Sequence, residues 1–213
     1  ILLNEVKTPD RLNERQFARW CMLYCRAADK LFKDMLYTEQ LDRALVGYKS
    51  HGAAEQQAWM GLYLGRSYVK DKLFIPAMKA YSDALSLAKE KYLYDVAGYI
   101  CSYMADLYTY TGQRSEERRK FEEAAEFFKQ AGNERSYAFA LRDVAKTWAF
   151  DDSLSLALHY MLIADSVITR FQDLRGISSI SNGLGNIYDL MGDVEKARAY
   201  YSRSLSSDTM DQV

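Results

Sequence analysis

The stretch LGNIYDLMGDVEKARAYYSRS, residues 184–204, decides the fold. Its apolar residues recur three and four apart: Leu184, Ile187, Tyr188 and Met191, then Val194, Ala197, Tyr201 and, just beyond, Leu205. That spacing lays one apolar stripe along each of two helices. Between the stripes, Gly192-Asp193 ends one helix and starts the next. Glycine adopts the left-handed backbone of a helix C-terminus without a Cβ clash, and aspartate caps a helix N-terminus. Gly185 lies inside the first helix, where glycine costs about 1 kcal/mol relative to alanine. Close approach of the partner helix, with Tyr201 filling the space beside the glycine, would offset that cost. The stretch therefore predicts a helical hairpin.

The same pattern returns through the chain at an offset of 40 residues. Small residues recur at Gly65, Ala105, Ala145 and Gly185, and aromatics three positions later at Tyr68, Tyr108, Trp148 and Tyr188. Turn-compatible residues follow at Lys72, Gly112, Asp152 and Gly192. A second small position holds Ala77, Ala157 and Ala197, with Glu117 as the exception. Large residues Tyr81, Phe121, Met161 and Tyr201 come next, then Ala84, Ala124, Ala164 and Ser204. One further step back gives Cys25, Ala28, Tyr37, Leu41 and Ala44, a degenerate copy that keeps small residues and loses the aromatics. A fixed period of this length marks a stack of helix pairs, because one hairpin alone leaves its apolar face uncovered. The units read as 18–57, 58–97, 98–137, 138–177 and 178–213, after a lead-in over 1–17. The fold class is all-α, a single solenoid of about five antiparallel helix pairs.

Composition agrees. Only two prolines, Pro9 and Pro76, interrupt 213 residues, and Pro76 falls in the first turn of its helix, where its missing N–H costs little. With 28 basic against 29 acidic residues the chain lacks the basic excess of a general nucleic-acid binder. Its three cysteines are too few and unevenly spaced for a disulfide framework, and Cys21 and Cys25, one helical turn apart, read as small buried side chains. The two histidines, His51 and His159, lie at ligand spacing neither to a cysteine nor to each other, so no metal and no other cofactor is expected. The most apolar run, Leu154 to Ile168, is too short and too polar to span a bilayer.

Leu184-Gly185-Asn186-Ile187-Tyr188, Gly192-Asp193, Ala197, Tyr201 and Ser204 together resemble a tetratricopeptide repeat, as do Leu64-Gly65, Tyr68, Ala77, Tyr81 and Ala84. The usual unit has 34 residues; this one has 40 and lacks the closing proline near Lys91 and Ala131. The longer unit resembles regulatory and scaffold members of the family more than its short peptide clamps. The resemblance implies a right-handed superhelix with a groove lined by the first helix of each pair. By position that groove takes in Met22, Arg26, Leu62, Tyr63, Arg66, Tyr99, Tyr103, Asp106, Tyr110, Phe139, Arg142, Lys146, Phe150, Asn182, Asn186 and Asp189. It suits a protein or peptide ligand: aromatics give area, arginine forks onto carboxylates, and asparagine bonds a peptide backbone. Two alternatives stay open at these residues. The aromatics can tuck between neighbouring helices, and Arg142 and Lys146 can pair with Asp106 or Asp143. The clamp of the short-repeat adaptors is not reproduced in full.

No catalytic constellation is present. The chain has no Gly-rich phosphate loop, no HExxH and no nucleophile elbow, so an enzyme is not expected. Arg114 to Glu126 alternates in sign, with Glu116–Lys120 and Arg119–Glu123 at pairing distance, and reads as a solvated helix face. The expected role is a non-catalytic binding module, the sensor or scaffold segment of a larger regulatory protein. A self-association module is the alternative. Residues 1–17, with Pro9-Asp10-Arg11-Leu12, resemble the lead-in of TPR proteins exported to the envelope of Bacteroidetes-type bacteria. That resemblance favours the periplasm or cell envelope over the cytoplasm, and a larger protein with an anchor and an output domain.

Overall fold

The computed structural model describes residues 8–31, 33 and 36–210. Residues 1–7 of the expected lead-in lie outside the described residues. Among the described residues a 3-10 turn, Pro9–Arg11, precedes ten α-helices, and there is no strand. The helices are α1 (Glu14–Lys30), α2 (Thr38–His51), α3 (Ala54–Lys70), α4 (Phe74–Glu90) and α5 (Tyr94–Thr111). They continue with α6 (Arg114–Gln130), α7 (Glu134–Phe150), α8 (Leu154–Arg170), α9 (Leu174–Leu190) and α10 (Val194–Met210). The chain divides into two compact units, residues 1–107 and 108–213, each described by itself below. Within the units the helices pack in adjacent antiparallel pairs, α1 with α2, α3 with α4, α7 with α8 and α9 with α10.

From α3 onward the helices start at 54, 74, 94, 114, 134, 154, 174 and 194, so the chain repeats in halves as well as in wholes. The turns explain this regularity. Leu73 N–H donates to the Tyr68 carbonyl at 2.8 Å, and the same bond recurs from Leu93 to Ala88, Gln113 to Tyr108, Asn133 to Phe128, Ser153 to Trp148 and Asp193 to Tyr188. Each of these bonds closes over a left-handed residue that wraps the helix C-terminus. Gly112, Gly132 and Gly192 fill three such positions, while Lys72, Tyr92, Asp152 and Gln172 take positive φ with a side chain. Each of these four carries roughly 1–2 kcal/mol of Cβ strain. Linkers between hairpins thus turn in the same way as the turns inside them.

Hairpins begin at 14, 54, 94, 134 and 174, four residues ahead of the unit starts read from the sequence. The small–aromatic signature marks the middle of a helix, whereas the boundary is set by its cap. Asn13, Asn133 and Asp173 supply such caps, accepting from the backbone N–H of Gln16, Ser136 and Gly176. In the first hairpin α2 has 14 residues and follows a longer connection, yet Leu41 and Ala44 keep their repeat positions and are fully buried.

The core follows the small–large alternation. In unit 1, Phe17, Cys21, Cys25, Leu41, Tyr48, Met60 and Tyr63 pack as one cluster. In unit 2, Phe128, Val144, Met161, Ile168, Ile180 and Leu184 are buried. A Cβ on Gly65 would sit 2.2 Å from Cε1 of Tyr81, and one on Gly185 would sit 2.5 Å from Cε1 of Tyr201. The close approach expected at both glycines is present. Glu117, the exception at its small position, turns outward and accepts from the Thr109 hydroxyl at 2.9 Å. Among the described residues no helix is long and apolar enough to cross a membrane. The apolar run in α8 buries Ala157, Met161, Ala164, Val167 and Ile168 and exposes Leu156 and Leu162.

Candidate binding faces

In unit 1 the first-helix residues gather around Arg66. Its guanidinium bonds the Asp29 carboxylate and lies 4.6 Å above the Tyr103 ring. Tyr103 stacks on Tyr81 with ring centroids 6.5 Å apart. Beside them Trp59 lies 6.0 Å from Tyr63 and 5.4 Å from Tyr99. Burial opposes the charge of Arg66, but Tyr103 and Asp29 outweigh it and hold its pKa above the usual value. Burial pushes the Tyr103 hydroxyl up to about 12 and raises Tyr63 and Tyr81 as well, so these phenols stay neutral donors. Three residues read as groove positions are instead core: Met22, Leu62 and Tyr63 are at most 5% exposed. Helical spacing put them beside the groove residues, but their side chains sit one step round the helix, against the partner. Burial likewise pushes the Cys21 and Cys25 thiols up to about 12, in keeping with their reading as inert core residues.

α5 carries Tyr99, Tyr103, Asp106 and Tyr110 along its length. Tyr99 and Tyr103 are half-buried, Asp106 is exposed, and Tyr110 is exposed at the helix end.

In unit 2 the arrangement centres on Asp143. Arg142 forks onto it, Nε to Oδ1 and Nη2 to Oδ2, both at 2.9 Å, and Lys146 Nζ reaches Oδ1 at 3.2 Å. Arg142 also donates to the Ser179 hydroxyl at 2.9 Å and covers the Phe139 ring at 4.8 Å. Of the two pairings open for Arg142 and Lys146, Asp143 is realised within this unit. Lys146, Phe150, Asn182 and Asn186 line one pocket of about 270 Å³, floored by Ala149, Met161, Gly183, Ile187 and Leu190. Tyr201 donates to Asn186 Oδ1 at 2.8 Å, which fixes the amide and leaves its Nδ2 donors for a ligand. The pocket thus offers two amides and an ammonium over an apolar floor.

Sequence reasoning missed three contributors. Trp59 was passed over although its equivalents one and two repeats on, Tyr99 and Phe139, are aromatics read as groove residues, so the 40-residue offset was the signal that could have found it. Asp29 was invisible as a hub because pairing depends on rotamer as well as spacing, whereas Asp143 was one of the two partners already open to Arg142 and Lys146. Arg118 lies 3.6 Å from the centre of the Trp148 ring and donates to Thr147 Oγ1 at 3.1 Å, tying α6 to α7. On the charged face of α6, Arg119 pairs with Glu116 and Glu123 as spacing allows, but buried Lys120 turns to Glu123 at 2.9 Å rather than to Glu116. Among the described residues no group of three or more His, Cys, Asp or Glu is placed to hold a metal ion.

No protein-family model matches the chain. No curated protein matches it in sequence. Solved structures match its fold. BtubC (BKLC) of P. vanneervenii is similar with a TM-score of 0.74 at 17% identity, over 92% of this chain and 80% of that one. A Rap protein complexed with competence and sporulation factor is similar with a TM-score of 0.72 at 18% identity, over 98% of this chain and 58% of that one. A Podosopora anserina kinesin light chain with nearly identical TPR-like repeats is similar at 0.64 and 13% identity, over 97% and 98%. The fold is therefore tetratricopeptide-repeat-like, an all-helical repeat of adjacent pairs.

Proposed function

We propose that the chain is a non-catalytic protein- or peptide-binding module, the sensor or scaffold segment of a larger regulatory protein. The observation that carries this reading is the pocket formed by Lys146, Phe150, Asn182 and Asn186 in unit 2. Two exposed asparagines one helical turn apart present donors and acceptors that match an extended backbone, and Phe150 and Leu190 supply apolar area beside them. Met161 and Gly183 form part of its apolar floor. A Rap protein of this fold was solved with competence and sporulation factor bound, which supports a ligand-binding use of such helix pairs. The envelope placement implied by the lead-in belongs to the same proposal.

The test is selection of peptides from a displayed library on the purified chain, followed by titration against Asn186→Ala, Asn182→Ala and Phe150→Ala. Loss of about tenfold in affinity for each is expected, equal to about 1.4 kcal/mol. Selected peptides that bind all three variants as tightly as the parent would refute the pocket assignment. Light scattering across protein concentration separates this reading from self-association.

A further inference from the structure

Most arginines in this chain are tied to carboxylates: Arg43 to Asp10, Arg66 to Asp29, Arg118 to Asp151, Arg119 to Glu116, Arg135 to Asp173, Arg142 to Asp143, Arg170 to Glu134 and Arg203 to Asp165. Among the described residues Arg11, Arg15, Arg19, Arg26 and Arg198 have no such ion pair, and of these Arg15, Arg19 and Arg26 stand together on α1. All three line one pocket of about 300 Å³ with His51, Met22 and Tyr48, bounded by α1, the end of α2 and the start of α3. No carboxylate lines this pocket, and among the described residues none lies within ion-pair distance of the three guanidinium groups. Residues four and seven apart share a helix face, so α1 presents three like charges in a row. The Arg15–Arg19 pair, one turn apart, costs helix stability unless something outside the helix answers it. The chain's net charge of −1 makes this a local field rather than a consequence of a basic protein.

We propose that this pocket binds an acidic peptide segment of a protein partner, its carboxylates taken by Arg15, Arg19 and Arg26. The proposal rests on the reading of the chain as a binding module and adds the chemistry of the partner. Guanidinium forks match carboxylates in shape and charge. Arg26 is partly held for the purpose, with its guanidinium 5.9 Å from the Trp59 ring. Spacing sets the motif. Along α1 the rise from Arg15 to Arg19 is about 6 Å and from Arg19 to Arg26 about 10 Å. An extended peptide advances about 3.3 Å per residue. Its carboxylates therefore fall two and then three residues apart, at the first, third and sixth positions of a segment. The buried Met22 and Tyr48 give the intervening residues an apolar floor. A nucleic acid, whose phosphates run on past three contacts, would need a longer basic track than one helix face offers.

The experiment is fluorescence anisotropy of the whole chain with a labelled ten-residue peptide bearing three glutamates at that spacing. The comparison probes are its all-glutamine counterpart, the same glutamates clustered together, and a ten-nucleotide single-stranded oligothymidylate. The expected result is binding of the spaced peptide at least tenfold tighter than the glutamine or clustered peptide. Affinity should fall as salt is raised, and fall at least tenfold in Arg19→Gln and in Arg15→Gln, with circular dichroism unchanged. Asn186→Ala should leave this binding as it is. Equal binding of the spaced and glutamine peptides, or no effect of either arginine variant, overturns the proposal. So does tighter binding of the oligonucleotide. Absence of binding by the spaced peptide overturns it too, while library peptides that still depend on Asn186 would leave the binding-module reading standing.

Discussion

Replacing Gly65 by alanine sets two effects of known sign against each other. Alanine is the better helix former by about 1 kcal/mol, so propensity alone says that Gly65→Ala stabilises α3. Packing says the reverse. The new methyl would stand 2.2 Å from Cε1, 2.4 Å from Cδ1 and 2.9 Å from Cζ of Tyr81. To reach even a tight 3.4 Å contact the ring edge must retreat by about 1 Å. Tyr81 is 1% exposed and stacked on Tyr103, which in turn carries the Arg66 guanidinium, so the ring has nowhere to go without moving both. Overpacking of a filled core costs about 1–3 kcal/mol. With the ring pinned, the upper part of that range applies, and the net expectation is a loss of about 1–2 kcal/mol. Urea titration followed by far-UV circular dichroism measures it as a fall in midpoint at constant slope. In a Tyr81→Leu background, where the ring is gone, the same alanine should be neutral or stabilising, a coupling of about 1–3 kcal/mol. Gly185→Ala is the internal control, because Tyr201 is only half-buried and can swing toward solvent. Its cost should be smaller, between zero and about 1 kcal/mol. A Gly65→Ala protein as stable as the parent would refute the argument that ring packing outweighs propensity.

Two further outcomes are expected. Arg118→Lys keeps the charge but loses the planar stack on Trp148 and the forked bonds to Thr147 and Asp151, so it should cost about 1–2 kcal/mol and shift Trp148 emission to the red; unchanged melting would count against the stack. Tyr103 titrates near 12 in the folded chain against 10.0 unfolded, and Tyr63 and Tyr81 are raised too. A raised folded pKa means the stabilisation is full below pH 10 and is lost as pH climbs toward 12, since only the unfolded state releases the protons in that window. Phenolate absorbance followed against pH should show these tyrosines ionising together with unfolding, and early, independent ionisation of all the tyrosines would contradict the burial.

Much of the fold was legible because a solenoid writes its geometry into the sequence at a fixed interval. The pairing of Gly65 with Tyr81 and Gly185 with Tyr201 could be read from size alone, since a missing side chain on one helix must be matched by a large one on its neighbour. Helix starts were less legible: the signature residues sit in mid-helix, and the caps that set the ends are Asn or Asp at some starts and nothing distinctive at Ala53. The half-repeat was hidden because Lys72, Tyr92, Asp152 and Gln172 do not advertise a left-handed backbone. At the candidate faces, spacing identified which helix side carries Tyr103, Arg142 and Asn186. It could not separate Arg66 and Arg142, already paired within the chain, from Arg15 and Arg19, because the carboxylates that decide this come from residues 37 positions away or next door.

The even spacing of the left-handed turns has a consequence for how the chain tolerates change. Each turn holds only two or three residues outside the helices, and every helix after it begins on count. Inserting or deleting one residue in such a turn rotates the following helix by about 100° and carries its apolar stripe off the partner. Swapping the exposed side chain at Lys72, Tyr92 or Asp152 leaves that phase untouched, and glycine there would even relieve strain. Mutational scans should therefore find these turns permissive to substitution and intolerant of changes in length, the reverse of the surface loops in most domains.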